Sequence, residues 1–425
     1  MATVGEWTGV DVKAFRLAAR MTQPEFAAWV GVNKRTIRRW ETTGHAGAFN
    51  QSILDSLLAS ASDDVLEQFR RIRNRTSGQE DTMDRRTLFV ASSAVAAGAL
   101  TALGLTSDAD ERARWLMSGA GRPDRDSLTL VRGTLHQAML LDDAMGSAAA
   151  EGMVIAQQSL TEAMLRKSTP TLRPELLALN AQFLGFAGCL AWDVGDHGNA
   201  ARLYKLARET AHDATDVDVY AYMLCHMSQL SLAMKRPRGA LDDAVAARSW
   251  VAQSGDVRLR AYTEMRVAEA AASNGQRRAC LDALATAEHE IGDAGIAGEV
   301  SPDVSLAYFT TPALLESYRG WCWSLLGEPE KAVVASRHAV DLTDPRRARD
   351  KAMMLMELER AYIQQHDIDH AAGAVCEAAE LVERNRSPRL IKAVMEGRQL
   401  LTPWASSRAV RELDAVLAER DMVQV

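Results

Sequence analysis

Small residues recur at regular intervals through the second half of this 425-residue chain, and this recurrence is the strongest constraint on its fold. Short polar turns centred on Gly195, Lys235, Gly275, Gly327 and Asp367 are 40, 40, 52 and 40 residues apart. Between them, apolar residues follow helical spacing, with almost no β-branched run or hairpin signal. The sequence therefore predicts a series of helical hairpins.

Each turn is followed by small residues at two positions of the next helix. The first set is Ala200, Ala240, Cys280, Ala332 and Ala372, and the second is Ala207, Ala247, Ala287, Ala339 and Ala379. Antiparallel helices approach closely only where neither carries a large side chain, so these positions indicate helix crossings. We predict an all-α fold whose hairpins stack into an α-helical repeat solenoid, with an irregular helical bundle as the alternative.

The pattern resembles the tetratricopeptide repeat. That family also has a small residue in the first helix of each unit, here Gly188, Ser228, Ala268 and Gly320, with Arg360 as a departure. Its usual period is shorter than 40 residues, which implies lengthened helices or loops. The long interval contains residues 291–312, and we expect an inserted loop there to shape a pocket.

A second pattern occupies residues 22–41, TQPEFAAWVGVNKRTIRRWE. Thr22 is a good N-cap for a short helix whose apolar face carries Phe26, Ala27 and Val30. Gly31 suits a tight turn, and Asn33 caps a second helix on which Ile37 and Trp40 point inward. The outward residues of that helix are mostly cationic, which suits the major groove of DNA.

This segment resembles the helix-turn-helix of the Cro and phage-repressor family, also called the xenobiotic-response-element (XRE) family. The resemblance implies that Gln23 contacts the DNA backbone, that Lys34, Arg35 and Arg39 reach base edges, and that Arg38 contacts phosphate. The full predicted DNA-binding set is Gln23, Asn33, Lys34, Arg35, Thr36, Arg38 and Arg39. The alternative is a surface helix with a solvated run of charge.

Charge is distributed unevenly along the chain, whose net charge is −7. Residues 1–75 contain 11 Lys or Arg against 8 Asp or Glu, so only this part favours nucleic acid.

Five separated cysteines without a Cys-x-x-Cys pair indicate reduced thiols, and no secretory signal opens the chain. We therefore expect a cytoplasmic protein.

One segment disturbs that expectation. Arg85 and Arg86 precede an uncharged run from Leu88 to Leu105, which resembles a twin-arginine export signal. Its internal position and its small side chains favour a buried or linker helix, and membrane association through this run is the minor alternative.

These patterns predict four regions. Residues 1–76 form the DNA-binding domain, 77–125 a linker with the Ala- and Gly-rich helix, 126–388 the repeats, and 389–425 a pair of capping helices.

In a solenoid, the first helix of each repeat lines the concave surface. A peptide or small ligand is expected in a groove formed by Gln182, Trp192, Tyr222, Gln229, Tyr262, Glu269, Trp321 and Glu357.

No nucleophile with its base and no phosphate-binding loop is evident, so we expect neither enzymatic activity nor a cofactor. His366 and His370 are four residues apart, a spacing that can chelate zinc on a helix, but they fall in a predicted turn, so we expect no metal. The layout resembles DNA-binding regulators of Gram-positive bacteria, especially an actinomycete branch controlling development and secondary metabolism. This resemblance implies a transcriptional regulator. One helix-turn-helix domain contacts about half of an operator, so we predict a homodimer on a palindromic double-stranded site. The alternative is an interaction scaffold whose repeats bind another protein and in which DNA binding is secondary.

Overall fold

The computed structural model describes residues 7–19, 21–30, 34–43, 54, 58, 65, 68, 69, 121–385, 387–420 and 422. The chain divides into two compact units, Met1–Ala94 and Val95–Val425. Every regular element within the described ranges is helical. The α-helices are α1 (Gly9–Ala18), α2 (Gln23–Val30), α3 (Lys34–Thr43), α4 (Arg125–Met145), α5 (Ser147–Arg166), α6 (Arg173–Asp193), α7 (His197–Asp213), α8 (Val217–Ala233), α9 (Pro237–Val251), α10 (Val257–Ser273), α11 (Arg277–Asp293), α12 (Pro312–Leu325), α13 (Pro329–Leu342), α14 (Ala348–Gln364), α15 (Ile368–Val382), α16 (Pro388–Leu400) and α17 (Arg408–Glu419).

The first unit packs α1, α2 and α3 around an aromatic core. Its buried side chains include Trp7, Phe15, Phe26, Ile37 and Trp40. The predicted inward positions on both helices of residues 22–41 are thus confirmed. Thr22 occupies the predicted N-cap position, because its hydroxyl oxygen accepts from the Glu25 backbone N–H at 3.5 Å and its own backbone N–H donates to the Glu25 carboxylate at 2.8 Å.

The second unit is a stack of helical hairpins. Five pairs follow one another, α6–α7, α8–α9, α10–α11, α12–α13 and α14–α15, and each first helix also contacts the second helix of the preceding pair. The α4–α5 hairpin precedes them, and α16 and α17 follow the last pair. The predicted all-α fold with a helical-repeat solenoid is therefore confirmed.

Small residues lie where the helices of each pair cross. All predicted members of the two small-residue sets are at most 1% exposed. A Cβ atom added at Gly320 on α12 would lie 2.1 Å from the Ser336 hydroxyl oxygen on α13, and one at Gly188 would lie 2.6 Å from the Tyr204 ring. The close approach of the paired helices therefore depends on these glycines.

The predicted position of the turn between the two helices is wrong by one residue in the last repeat. The residue before each second-helix N-cap has a positive φ: Gly195 (84°), Lys235 (59°), Gly275 (70°), Gly327 (74°) and His366 (59°). The last turn therefore centres on His366 rather than Asp367, which caps α15. Because histidine gives no sequence signal for the left-handed conformation that glycine favours, the sequence does not reveal this shift.

With the last turn placed at His366, the residue at the crossing position of α14 is Glu359 rather than Arg360. Glu359 is 0% exposed, and neither of its carboxylate oxygens has a hydrogen-bond partner. Burial raises its pKa to about 8. An acidic side chain thus occupies the place where the other units have glycine, serine or alanine.

Glu359→Gln is expected to stabilise the repeat domain at pH 8 by about 1–3 kcal/mol, and by much less at pH 4. The folded state holds the Glu359 proton up to about pH 8, whereas the unfolded chain releases it near the ordinary pKa of 4.5. Wild-type stability should therefore fall as pH rises through this window, and glutamine removes that contribution. Urea denaturation at both pH values measures it, with exposed Glu412→Gln as control. An equal effect at the two pH values would contradict the prediction.

Candidate functional site

The repeat domain encloses a cavity of about 910 Å³. Five predicted groove residues line it, namely Gln182, Trp192, Tyr222, Gln229 and Tyr262. They lie on α6, α8 and α10, the first helices of their hairpins. These five side chains thus line one cavity, and their contact with a ligand stays a prediction.

Three predicted groove residues lie outside the cavity lining, and each of them contacts another side chain. Glu269 forms a salt bridge with the buried Arg266. The guanidinium of Arg360 lies 5.4 Å from the ring centroid of Trp321. Glu357 accepts a hydrogen bond of 2.7 Å from Ser317, and burial raises its pKa to about 8.

Sequence reasoning missed other lining residues of the first helices. Phe186, His226 and Tyr318 line the cavity, and each lies nine residues before the left-handed turn residue of its repeat. Arg266 and Glu357 occupy the same position in the third and fifth repeats. In the first four units this position follows from the predicted turns, so the sequence could have identified it, whereas in the fifth unit it depends on the turn at His366, which the sequence does not reveal.

The inserted loop between α11 and α12 lines the cavity, as expected for residues 291–312. Leu306, Tyr308 and Phe309 contribute to the lining. Three hydrogen bonds anchor the loop: Tyr308 to Asp143 at 2.5 Å, Ser305 to Asp256 at 2.7 Å, and Arg258 to the Thr310 carbonyl oxygen at 2.6 Å.

An ionic cluster joins the two ends of the solenoid across the cavity. Asp142 and Asp143, near the end of α4, pair with Arg349 at 2.7 and 2.6 Å, and Asp143 also pairs with Arg347 at 2.6 Å. The partners are more than 200 residues apart in sequence. We call these four residues the closing cluster, because they connect the first described hairpin of the unit to its fifth repeat.

Burial determines the electrostatics of the closing cluster. Desolvation opposes the charge of Arg349, but the carboxylates of Asp142 and Asp143 outweigh it and raise the pKa of this guanidinium. Burial also raises the pKa of Asp142, against the effect of Arg349. Asn385 adds a hydrogen bond of 2.8 Å to the Asp143 carbonyl oxygen. The cluster is thus a largely desolvated network.

Five titratable groups of the cavity lining, on Cys189, Tyr222, His226, Tyr262 and Tyr318, are uncharged at neutral pH. Burial lowers the pKa of His226 to about 3, with Arg266 and Arg389 acting in the same direction. Burial raises the pKa of the Cys189 thiol to about 11 and that of Tyr318 to about 12. The pKa values of Tyr222 and Tyr262 are likewise raised by burial.

The first unit carries the predicted DNA-binding residues. The amide of Gln23 donates a hydrogen bond of 2.7 Å to Glu41, which also pairs with Arg16 at 2.5 Å. Arg38 is exposed and Thr36 is half-buried on α3. Asn33 and the side chains of Lys34, Arg35 and Arg39 lie outside the described residues.

Metal and membrane binding are considered for the described part of the chain only. No group of three or more His, Cys, Asp or Glu side chains there is arranged to hold a metal ion. One helix, Arg173–Asp193, is long and apolar enough to cross a membrane, but 61% of its apolar window is buried, and core helices pass the same test. The run from Leu88 to Leu105 lies outside the described residues.

No protein-family model matches the chain, and no curated protein does. Among solved structures, it is similar to a Rap protein complexed with competence and sporulation factor, at 15% identity over 69% of this chain and 88% of that one, with a TM-score of 0.45. A thermophilic tetratricopeptide-repeat protein of Thermus thermophilus is 20% identical over 52% of this chain and 98% of that one, with a TM-score of 0.35.

A signal-transduction ATPase of Pyrococcus horikoshii with a tetratricopeptide-repeat sensor is 12% identical over 91% of this chain and 57% of that one, with a TM-score of 0.40. All three TM-scores are below 0.5. The tetratricopeptide-like architecture is established by the stacked hairpins of the chain itself, with their small crossing residues.

Proposed function

We propose that this chain is a sequence-specific DNA-binding regulator of transcription, acting in the cytoplasm, whose repeat domain senses a peptide or small ligand. The observation that carries the proposal is the packing of α2 and α3, which buries Ile37 and Trp40 and leaves Arg38 exposed. The sequence adds Lys34, Arg35 and Arg39 to the same helix. A cationic helix held by its apolar face matches the recognition helix of helix-turn-helix proteins.

The hydrogen bonds of Gln23 make this proposal more specific. The Gln23 amide, at the start of α2, donates to the carboxylate of Glu41 near the end of α3, and this carboxylate also accepts from Arg16 on α1. These contacts fix the angle between the two helices, so Gln23 contributes to DNA binding through the position of α3. Direct contacts with bases are assigned to Lys34, Arg35 and Arg39.

One domain of this kind contacts about half of a palindromic operator, so the proposal includes a homodimer. A ligand that binds one arrangement of the repeat domain more tightly would shift the population toward it. Such a shift would change the separation of the two DNA-binding domains. The proposal gives the cavity a sensing role and no catalytic one.

Arg35→Ala and Arg39→Ala are each expected to weaken specific DNA binding by about 1–3 kcal/mol, roughly 5- to 150-fold. A guanidinium on a guanine edge supplies discrimination that alanine lacks. Genomic fragments are first selected on the wild-type chain, and affinities are then measured at one fixed salt concentration. Lys13→Ala, an exposed cation on α1, controls for the lost charge.

Undiminished binding by both arginine variants would refute the assignment of α3 as the recognition helix. A folded chain that selects no genomic fragment would refute the DNA-binding function itself. The scaffold alternative would then be favoured, because the repeat domain does not depend on DNA for its structure.

A further inference from the structure

Four aromatic side chains in mutual contact form one part of the cavity wall. The Tyr262 ring centroid lies 5.2 Å from that of Phe309, 6.2 Å from that of Tyr222 and 6.5 Å from that of Tyr318. These rings come from α8, α10, α12 and the inserted loop, so four elements contribute to one surface. An aromatic surface of this kind favours flat apolar groups, which contact ring faces and edges over a large area.

Charged ligands are poorly matched to this wall. The groups beside the rings that titrate, His226 and Cys189, are neutral at pH 7, and Arg266 behind them already pairs with Glu269 and donates to the Tyr318 hydroxyl at 2.8 Å. An anion placed against the rings would lose its hydration, would gain no opposite charge there and would face the negative ring faces. Arg266, 5.6 Å from the Tyr318 centroid, also disfavours a cation.

The remaining charges of the cavity lining are largely engaged with one another. Besides the closing cluster, Arg346 pairs with Asp344 at 2.6 Å, and Glu299 pairs with Arg347 at 2.7 Å. The guanidinium of Arg389 lies over the Trp192 ring at 4.7 Å and 3.7 Å from Asp193. An anion would have to displace these carboxylates to reach an arginine.

We infer that the cavity binds an uncharged, ring-containing small molecule, with its apolar part against Tyr222, Tyr262, Phe309 and Tyr318 and its polar atoms at the amides of Gln182 and Gln229. The volume of about 910 Å³ lies within the range of roughly 300–1,000 Å³ that is usual for drug-sized ligands. The inference rests on the proposed sensing role and narrows it, because it selects a neutral small molecule over a charged peptide.

Two dyes that share one ring system and differ by a sulfonate group test this inference on the full chain. N-phenyl-1-naphthylamine is neutral, and 8-anilino-1-naphthalenesulfonate has the same ring system with an added sulfonate. Fluorescence titration at pH 7 should show one site per chain for the neutral dye, with a dissociation constant at least about tenfold lower than that of the sulfonate, because the sulfonate must be desolvated without a partner.

Matched variants locate the site. Gln229→Trp places a large side chain in the cavity wall on α8 and should abolish binding of the neutral dye, whereas Val245→Trp adds the same side chain at a position 44% exposed on α9 and should not. Gln182→Trp on α6 repeats the test should Gln229→Trp not fold. Circular dichroism checks the helical content of each variant.

Equal or tighter binding of the sulfonate would overturn the inference, and so would binding of the neutral dye that both cavity tryptophan variants leave unchanged. The dye titration contains no DNA, so its failure is separate from failure of the proposed function. A chain that binds operator DNA but prefers the sulfonate refutes only the ligand class, whereas a chain that prefers the neutral dye but binds no duplex refutes only the DNA-binding function.

Discussion

Arg349→Ala is expected to lower the free energy of unfolding of the repeat domain by about 3–5 kcal/mol, which makes it the most destabilising substitution considered. Arg349 is 13% exposed and pairs with both Asp142 and Asp143. Its removal leaves two largely buried carboxylates with one fewer cation, and burying an unpaired charge is more costly than losing an exposed ion pair. Urea denaturation followed by circular dichroism measures the change.

The closing cluster opposes the helix dipoles, which indicates that it serves closure rather than helix stability. Acidic Asp142 and Asp143 lie near the carboxyl end of α4, and basic Arg349 lies in the first turn of α14. Each is unfavourable at its own helix end. The ion pairs of the closing cluster offset these unfavourable placements only when the end of α4 meets the start of α14. Arg349→Ala should therefore also increase the radius of gyration measured by small-angle X-ray scattering.

Arg408→Ala is the control for this experiment. Arg408 pairs with Glu412, and the two side chains are 86% and 62% exposed. A pair this exposed contributes little because water screens it, so the control should unfold like the wild type. Were Arg349→Ala to behave like Arg408→Ala in both measurements, the closing cluster would not hold the solenoid ends together.

Gly320→Ala is expected to destabilise the repeat domain by about 3 kcal/mol, because an added methyl group overfills a packed helix crossing. The new Cβ would lie 2.1 Å from the Ser336 hydroxyl oxygen and 2.9 Å from the Ser336 backbone nitrogen. The hydroxyl is able to rotate away, but the backbone nitrogen moves only with α13. The α12–α13 pair must therefore separate, and the next pair loses contact area with it.

Gly373→Ala is the matched control, because it makes the same change at a helical glycine of α15 where an added Cβ meets no atom within 4 Å. That variant should be neutral or stabilised by about 0.5–1 kcal/mol, since alanine favours the helix. Thermal and urea denaturation of both variants test the pair. Similar stability of the two would contradict the proposed close crossing at Gly320.

Much of the fold could be predicted from local patterns. Small residues such as Ala240 and Ala287 recur because every hairpin crosses in the same way, so one physical requirement is repeated through the sequence. The inward positions Ile37 and Trp40 follow from helical periodicity. Three of the groove residues that line the cavity, Gln182, Tyr222 and Tyr262, follow the same repeat, because they lie at equivalent positions of successive first helices.

The sequence by itself thus determined the repeating helical hairpins and the first helices as the inner surface, because these features depend on residues close together in the chain. Only the tertiary structure decided the burial of Glu359 at a crossing and the closure of the cavity by Asp142, Asp143 and Arg349. The physical reason is that small shifts between successive repeats accumulate along the solenoid. A contact between residues more than 200 positions apart depends on their sum, and no local pattern records it.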